Sequence, residues 1–189
     1  MTPSSPHNMY YVAIVCPTAI NEKVQQYKLW MQQQFDCKVA LKSPAHITLI
    51  APFYFETIKE SELITALEGF EYNHPPFTIQ LNDFANFGKR VIFIQVVENK
   101  ELESLHDSIN IYFHQLFPKI IKKEDRSFHP HVTIANRDVK PSAFVKACEY
   151  FSERKFEESF TSNTISLLKL SDGKWNVIAQ KEWTISNQF

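Results

Sequence analysis

Apolar and polar positions along this chain follow two rhythms, and their order repeats. Residues 10–15, Tyr-Tyr-Val-Ala-Ile-Val, form a short apolar run closed by Pro17-Thr18, the pattern of a buried strand. Ile20, Val24, Tyr27, Met31 and Phe35 then recur at spacings of 4, 3, 4 and 4, which is one face of a helix. An extended segment over 45–50 precedes Pro52. A second helix is predicted over 61–68, with Leu63, Ile64 and Leu67 inward and Gly69 ending it. Residues 77–81 read as a strand.

The same order then returns. Residues 91–97 are a strand, and Leu102, Leu105, Ile109, Tyr112 and Leu116 mark a helix face. An extended segment follows over 131–135. A helix begins near Pro141, a favoured first-turn residue, and carries Phe144, Val145, Cys148 and Phe151. Residues 164–170 turn through Asp172-Gly173 into 175–179, and Asp-Gly between two strand-like runs is a strong hairpin signal. Asn86-Phe87-Gly88-Lys89 can turn the chain in the same way before Val91. The pattern strand, helix, extended segment, helix, strand is duplicated, and no long linker separates the copies. Two intimately packed lobes are expected, with residues 1–9 as a flexible tail and 10–189 as a single bilobal domain.

Composition narrows the function. The 189 residues are 44% hydrophobic and 22% charged, as in ordinary globular proteins, and 16 Phe provide core bulk. Three Gly are too few for a glycine-rich phosphate loop. A net charge of -1 argues against bulk nucleic-acid binding through the backbone, but leaves room for a small anionic substrate or an RNA end. Cys16, Cys37 and Cys148 are odd in number and contain no CxxC pair, which suits reduced thiols in a cytoplasmic protein. The N-terminus lacks a signal-peptide pattern, and no apolar run approaches the roughly 20 residues that span a bilayer.

The candidate chemistry sits at the same place in both copies. Residues 46–48 read His-Ile-Thr and 131–133 read His-Val-Thr. Alternation along a strand puts His46 and Thr48 on one face, and His131 and Thr133 on one face. If the two faces meet, one imidazole can take a proton from an attacking water or hydroxyl while the other protonates the leaving oxygen. An unperturbed histidine pKa of about 6.5 allows either role. The threonine hydroxyls can donate to phosphate oxygens. No metal or other cofactor is needed. One such tripeptide alone is usually structural; two at matching places favour function.

The segments HITLIAPF at 46–53 and FHPHVTIA at 128–135 resemble the paired signatures of the 2H phosphoesterase superfamily, which includes 2′-5′ RNA ligase-like proteins and RNA cyclic phosphodiesterases. The resemblance extends over most of residues 10–185. It implies an α+β, bilobal, pseudo-twofold fold of duplicated strand-helix-strand-helix-strand lobes, with antiparallel sheets around a central cleft. It also implies metal-independent chemistry on a 2′,3′-cyclic phosphate or 2′-5′ linkage of RNA or a nucleotide. The family's catalytic histidines fall on His46 and His131, and its phosphate-binding hydroxyls on Thr48 and Thr133. Many RNA-acting members carry Arg directly after the segment matching 131–135; here Asn136 stands there and Arg137 follows. One step along a strand reverses the face, so Arg137 is expected to miss the phosphate.

His129 and His131 have a same-face spacing that can chelate zinc, which gives a metallohydrolase as an alternative, but no third ligand is evident. A non-catalytic module that binds nucleotides or RNA ends is the other alternative. Tyr11, Phe128 and Arg126 are possible substrate contacts, with core packing the ordinary role for the two aromatics. Lys119, Lys122, Lys123 and Arg126 form a basic loop before the second motif, usually a solvated feature. His7, His74, His106 and His114 lack a matched partner, and the last two are expected to be solvated or half-buried.

Overall fold

The computed structural model describes residues 6–122 and 127–184. The first copy of the repeat gives β1 (His7–Val15), α1 (Thr18–Phe35), β2 (His46–Glu56), α2 (Glu60–Glu68) and β3 (Phe77–Phe87). The second gives β4 (Val91–Val96), α3 (Lys100–Leu116), β5 (His131–Ala135), α4 (Pro141–Ser152) and β6 (Glu157–Ser162). The hairpin β7 (Thr164–Ser171) and β8 (Lys174–Glu182) closes the described chain. The duplicated order holds, with two differences. β1 begins at His7, so it takes in three residues expected as tail. β6 has no clear apolar alternation in its EESFTS sequence and was not anticipated. Pairing with β3 along its whole length makes it a strand.

The strands form one antiparallel sheet in the order β6-β3-β4-β5-β2-β1-β7-β8. The two four-stranded halves meet at β5 and β2, the strands that carry the His-x-Thr segments. The lobes do not coincide with the repeats. Helix α1 packs on β5 and α3 packs on β2, so each copy's first helix crosses onto the other half. Tyr27 and Trp30 of α1 accordingly lie against Phe84, Tyr150, Phe151 and Phe156. This exchange braces the halves.

The sheet has a core face and a cleft face. Tyr10, Val12 and Ile14 of β1 enter the main core with Ile47, Leu49, Val132, Ile134 and the inward residues of the four helices. Tyr11 and Ala13 point the other way and form a small cluster with Leu168, against which Val15 and Trp175 pack. Both hairpins take the expected form: Asp172 and Gly173 have φ of 52° and 74°, as a type I′ turn requires, and Gly88 has φ of 56°. Pro52 lies in β2 where two residues oppose Tyr11 of β1 alone. A bulge is the place where a strand tolerates a residue with no N–H.

The helix faces differ in detail. In α3 it is Phe113 and His106 that are buried, not Tyr112 and Leu116, and His106 stacks on Phe128 with ring centroids 3.9 Å apart. His106 is therefore a core histidine rather than a solvated one. In α4 Ala143 and Ala147 are inward, while Val145 is exposed. No described helix is long and apolar enough to cross a membrane.

Candidate active site

The site begins with one strand pair. Ile47 of β2 lies opposite Val132 of β5, and both are fully buried in the core. Their neighbours must therefore face the cleft. Antiparallel register through that pair sets His46 against Thr133 and Thr48 against His131. All four residues thus share one face at the junction of the two halves.

The two imidazoles are held in the same way. His46 Nδ1 lies 2.8 Å from the Pro44 carbonyl, and His131 Nδ1 lies 2.7 Å from the His129 carbonyl. A carbonyl only accepts, so Nδ1 donates in both rings and carries the proton. Nε2 is then the nitrogen left for chemistry in each neutral ring. The bond runs to the residue two positions earlier in each case, which is the duplication expressed in side-chain geometry. Tyr11 packs against His46 with the rings tilted by 33° and their centroids 4.8 Å apart, and is itself packed edge-on by Trp175 at 4.6 Å. Phe87 and Phe93 flank His131 at 5.0 and 5.1 Å.

Burial sets the charge of both rings. Desolvation pushes the His46 pKa down to about 4, against the Pro44 carbonyl, which raises it; Lys28 and His131 lower it further. His131 is also lowered, mainly by burial, with the His129 carbonyl opposing and the His129 ring contributing. In the free protein at neutral pH both rings are predominantly neutral.

A cavity of about 610 Å³ opens over this face. His46, Thr48, Thr133 and Tyr11 line it, as do Lys28, Asn136, Arg137 and Trp175. His131 stands beside its lining rather than in it. Tyr11 thus touches both the cavity and a histidine. Phe128 does not reach this cavity; it stacks on His106 and borders a separate hollow of about 340 Å³ with Phe87, Phe93 and His129. Arg126 and Lys123 lie outside the described residues. Lys119 and Lys122 are exposed and do not line the cavity. Arg137 does line it, contrary to the face-reversal argument. β5 ends at Ala135, so strand alternation no longer applies two residues later. Among the described residues no three His, Cys, Asp or Glu side chains converge as a metal site, so His129 and His131 gain no third ligand there.

The sequence reading missed Lys28. It is buried in α1 with Ile20, Val24 and Met31, at spacings of 4, 4 and 3, and so lies within the helix's inward stripe. A charged residue at an inward position is the available signal; the apolar periodicity selects Tyr27 in its place.

An eight-stranded antiparallel sheet with a His-x-Thr strand from each half at its centre is the architecture of the 2H phosphoesterases. The chain belongs to the 2′-5′ RNA ligase superfamily, whose family model matches residues 16–174. It is 23% identical over 163 residues to a candidate phosphoesterase of Bacillus cytotoxicus, covering 83% of this chain and 88% of that one. Among solved structures it resembles Escherichia coli LigT bound to 3′-AMP, with a TM-score of 0.64, 18% identity, and 94% and 99% of the two chains covered. A second crystal structure, of a phosphoesterase, gives a TM-score of 0.65 at 21% identity, with 95% and 99% covered. At these identities the structural likenesses establish the fold.

Proposed function

We propose that this chain is a metal-independent phosphoesterase acting on a 2′,3′-cyclic phosphate or a 2′-5′ phosphodiester of RNA or a nucleotide. The observation that carries this reading is the matched pair of imidazoles, on one sheet face, each with Nδ1 tied to the carbonyl two residues back and Nε2 without a hydrogen-bond partner among the described residues. With a cyclic phosphate bound, one Nε2 accepts a proton from water as its oxygen attacks phosphorus. The other imidazole, protonated, delivers its proton to the ribose oxygen as that P–O bond breaks. The product is a phosphomonoester. Thr48 and Thr133 donate hydroxyl hydrogen bonds to the non-bridging oxygens, where charge accumulates in the transition state. Each positioned acid or base is typically worth ~10²–10⁴ in rate. LigT has been solved in complex with 3′-AMP, ATP and NADP+, which supports a nucleotide as the kind of ligand this chain takes.

The direct test is a panel of nucleoside 2′,3′-cyclic phosphates and 2′-5′-linked dinucleotides, incubated with and without EDTA. Turnover of at least one substrate, undiminished by the chelator, is expected. Activity lost to EDTA and restored by zinc would move the assignment to the His129–His131 chelate.

The depressed pKa values fix the pH dependence. Catalysis needs one neutral and one protonated ring. Protonating both stops the base, and deprotonating both stops the acid. Because burial lowers both pKa values, the singly protonated pair is most populated on the acid side of the ordinary histidine value of about 6.5. The kcat/KM profile, which reports the free protein, should be a bell peaking below that pH and falling through neutrality. Its limbs belong to the pair rather than to either residue. A bound phosphate anion favours the protonated rings, so the kcat bell should sit at higher pH. A kcat/KM profile flat from about pH 5 to about pH 9 would contradict a titrating pair.

A further inference from the structure

Lys28 poses a problem that the histidine and threonine pairs do not solve. Its side chain projects from α1, is 2% exposed, and lines the same cavity as His46, Thr48 and Thr133. Its ammonium has three donors, and the bond it makes is to the Ser43 carbonyl at 2.9 Å. Among the described residues it has no carboxylate within ion-pair distance. A buried cation without an anion is costly, and such groups normally occur paired.

No acidic side chain described around it forms an ion pair with it. Cys16, at the end of β1, is a neutral thiol because burial pushes its pKa up to about 12. Tyr11 on β1 is raised also by burial and stays neutral. His46 on β2 is neutral or positive. Lys42, in the short turn Ala40–Lys42, and Arg137, after β5, add positive charge along the lining. Asp138 is the one acidic residue described in that lining, and its Oδ2 accepts from the backbone N–H groups of Lys38 and Val39 at 2.6 and 2.9 Å. Basic residues thus outnumber acidic ones in the cavity wall, and the buried Lys28 has no ion-pair partner among the described residues.

We propose that Lys28 is a substrate-binding residue whose missing anion is a phosphate oxygen of the ligand that enters this cavity. The inference rests on the phosphoesterase reading and deepens it. It gives the site a positive charge near His46 at neutral pH, so the substrate's phosphate is held by an ammonium as well as by hydroxyls. The same charge helps keep the free His46 neutral. Burial lowers the Lys28 pKa to about 8, which leaves it mostly protonated at neutral pH. An anion prefers the protonated form, so Lys28's share of the affinity is present below that pH and lost above it.

Inorganic phosphate titrated into the full chain by calorimetry at neutral pH is the first test, comparing the wild type with Lys28→Met. The substitution keeps the aliphatic stem and removes the charge. Phosphate should bind at least about 10-fold more weakly to the variant. The thermal midpoint should be unchanged or higher, because an unpaired buried charge has been removed. Dissociation constants within about twofold of each other overturn the proposal. The second test needs no variant. The NMR titration of the Lys28 side chain should move to higher pH when phosphate is added, and an unmoved midpoint at saturating phosphate also overturns it. Turnover of cyclic phosphates, with phosphate binding unchanged by Lys28→Met, would sink this inference and leave the phosphoesterase reading intact. Phosphate binding that depends on Lys28, with no phosphodiester turned over, would do the reverse.

Discussion

Replacing either His46 or His131 with Ala should reduce turnover of the best cyclic phosphate by on the order of 10²-fold or more, the usual loss when one positioned acid or base is removed. The double variant should lose far less than the product of the two single losses. The rings act in one step, and groups that act as a unit are non-additive. The structure gives each ring an identical tether, through Nδ1 to a backbone carbonyl, so neither is expected to be dispensable. His129→Ala should be mild by comparison, since it is the His129 carbonyl, not its ring, that orients His131. Circular dichroism must show that each variant is folded, because His46 also supports Tyr11. A folded single variant with near wild-type turnover would place the chemistry elsewhere.

The largest stability effect is expected at the seam between the halves. Ile47 is fully buried, and its strand pairs with β1 at Ile14 and with β5 at Val132. Ile47→Ala removes three carbons where three strands meet, and the braced halves leave little room to collapse around the void. A loss of about 2–5 kcal/mol is expected, the range for large-to-small changes in a packed core. Urea unfolding should show a lower midpoint at an unchanged m value. Tyr54→Ala on the same strand, where the side chain is 63% exposed, should stay within about 0.5 kcal/mol. Comparable losses at the two positions would mean that the seam is not tightly packed. Because His46 and Thr48 flank Ile47, the variant should also weaken catalysis beyond its effect on the folded fraction.

Much of this was readable in the sequence because strands and helices have fixed periods. Alternation alone puts His46 with Thr48 and His131 with Thr133, and the duplicated order locates both segments. What the periods do not encode is which strands pair. That β2 meets β5, and that α1 crosses to the other half, depends on long-range packing. Arg137 was misplaced because a strand's end, rather than its interior, decides the position. β6 was missed because its inward positions are Phe160 and Ser162 amid exposed polar residues, so its pairing to β3, not its own sequence, makes it a strand. Lys28 was overlooked because a lysine at helical spacing is ordinarily solvated. Only its burial in the cavity wall makes it conspicuous.

The exchange of helices and the late arrival of β7 also govern how the chain can reach its fold as it is made. β1 leaves the ribosome well before β7, yet β7 is one of its two neighbours, with Tyr11 paired to Leu168. Until that segment is synthesised, β1 and β2 have an open edge, and the helix that follows β1 awaits β5 for its packing surface. Neither repeat can close by itself. Folding is therefore dominated by contacts distant in sequence, which slows it and leaves unpaired strand edges exposed meanwhile. The same interleaving that sets two histidines face to face makes the nascent first repeat dependent on strands translated well after it.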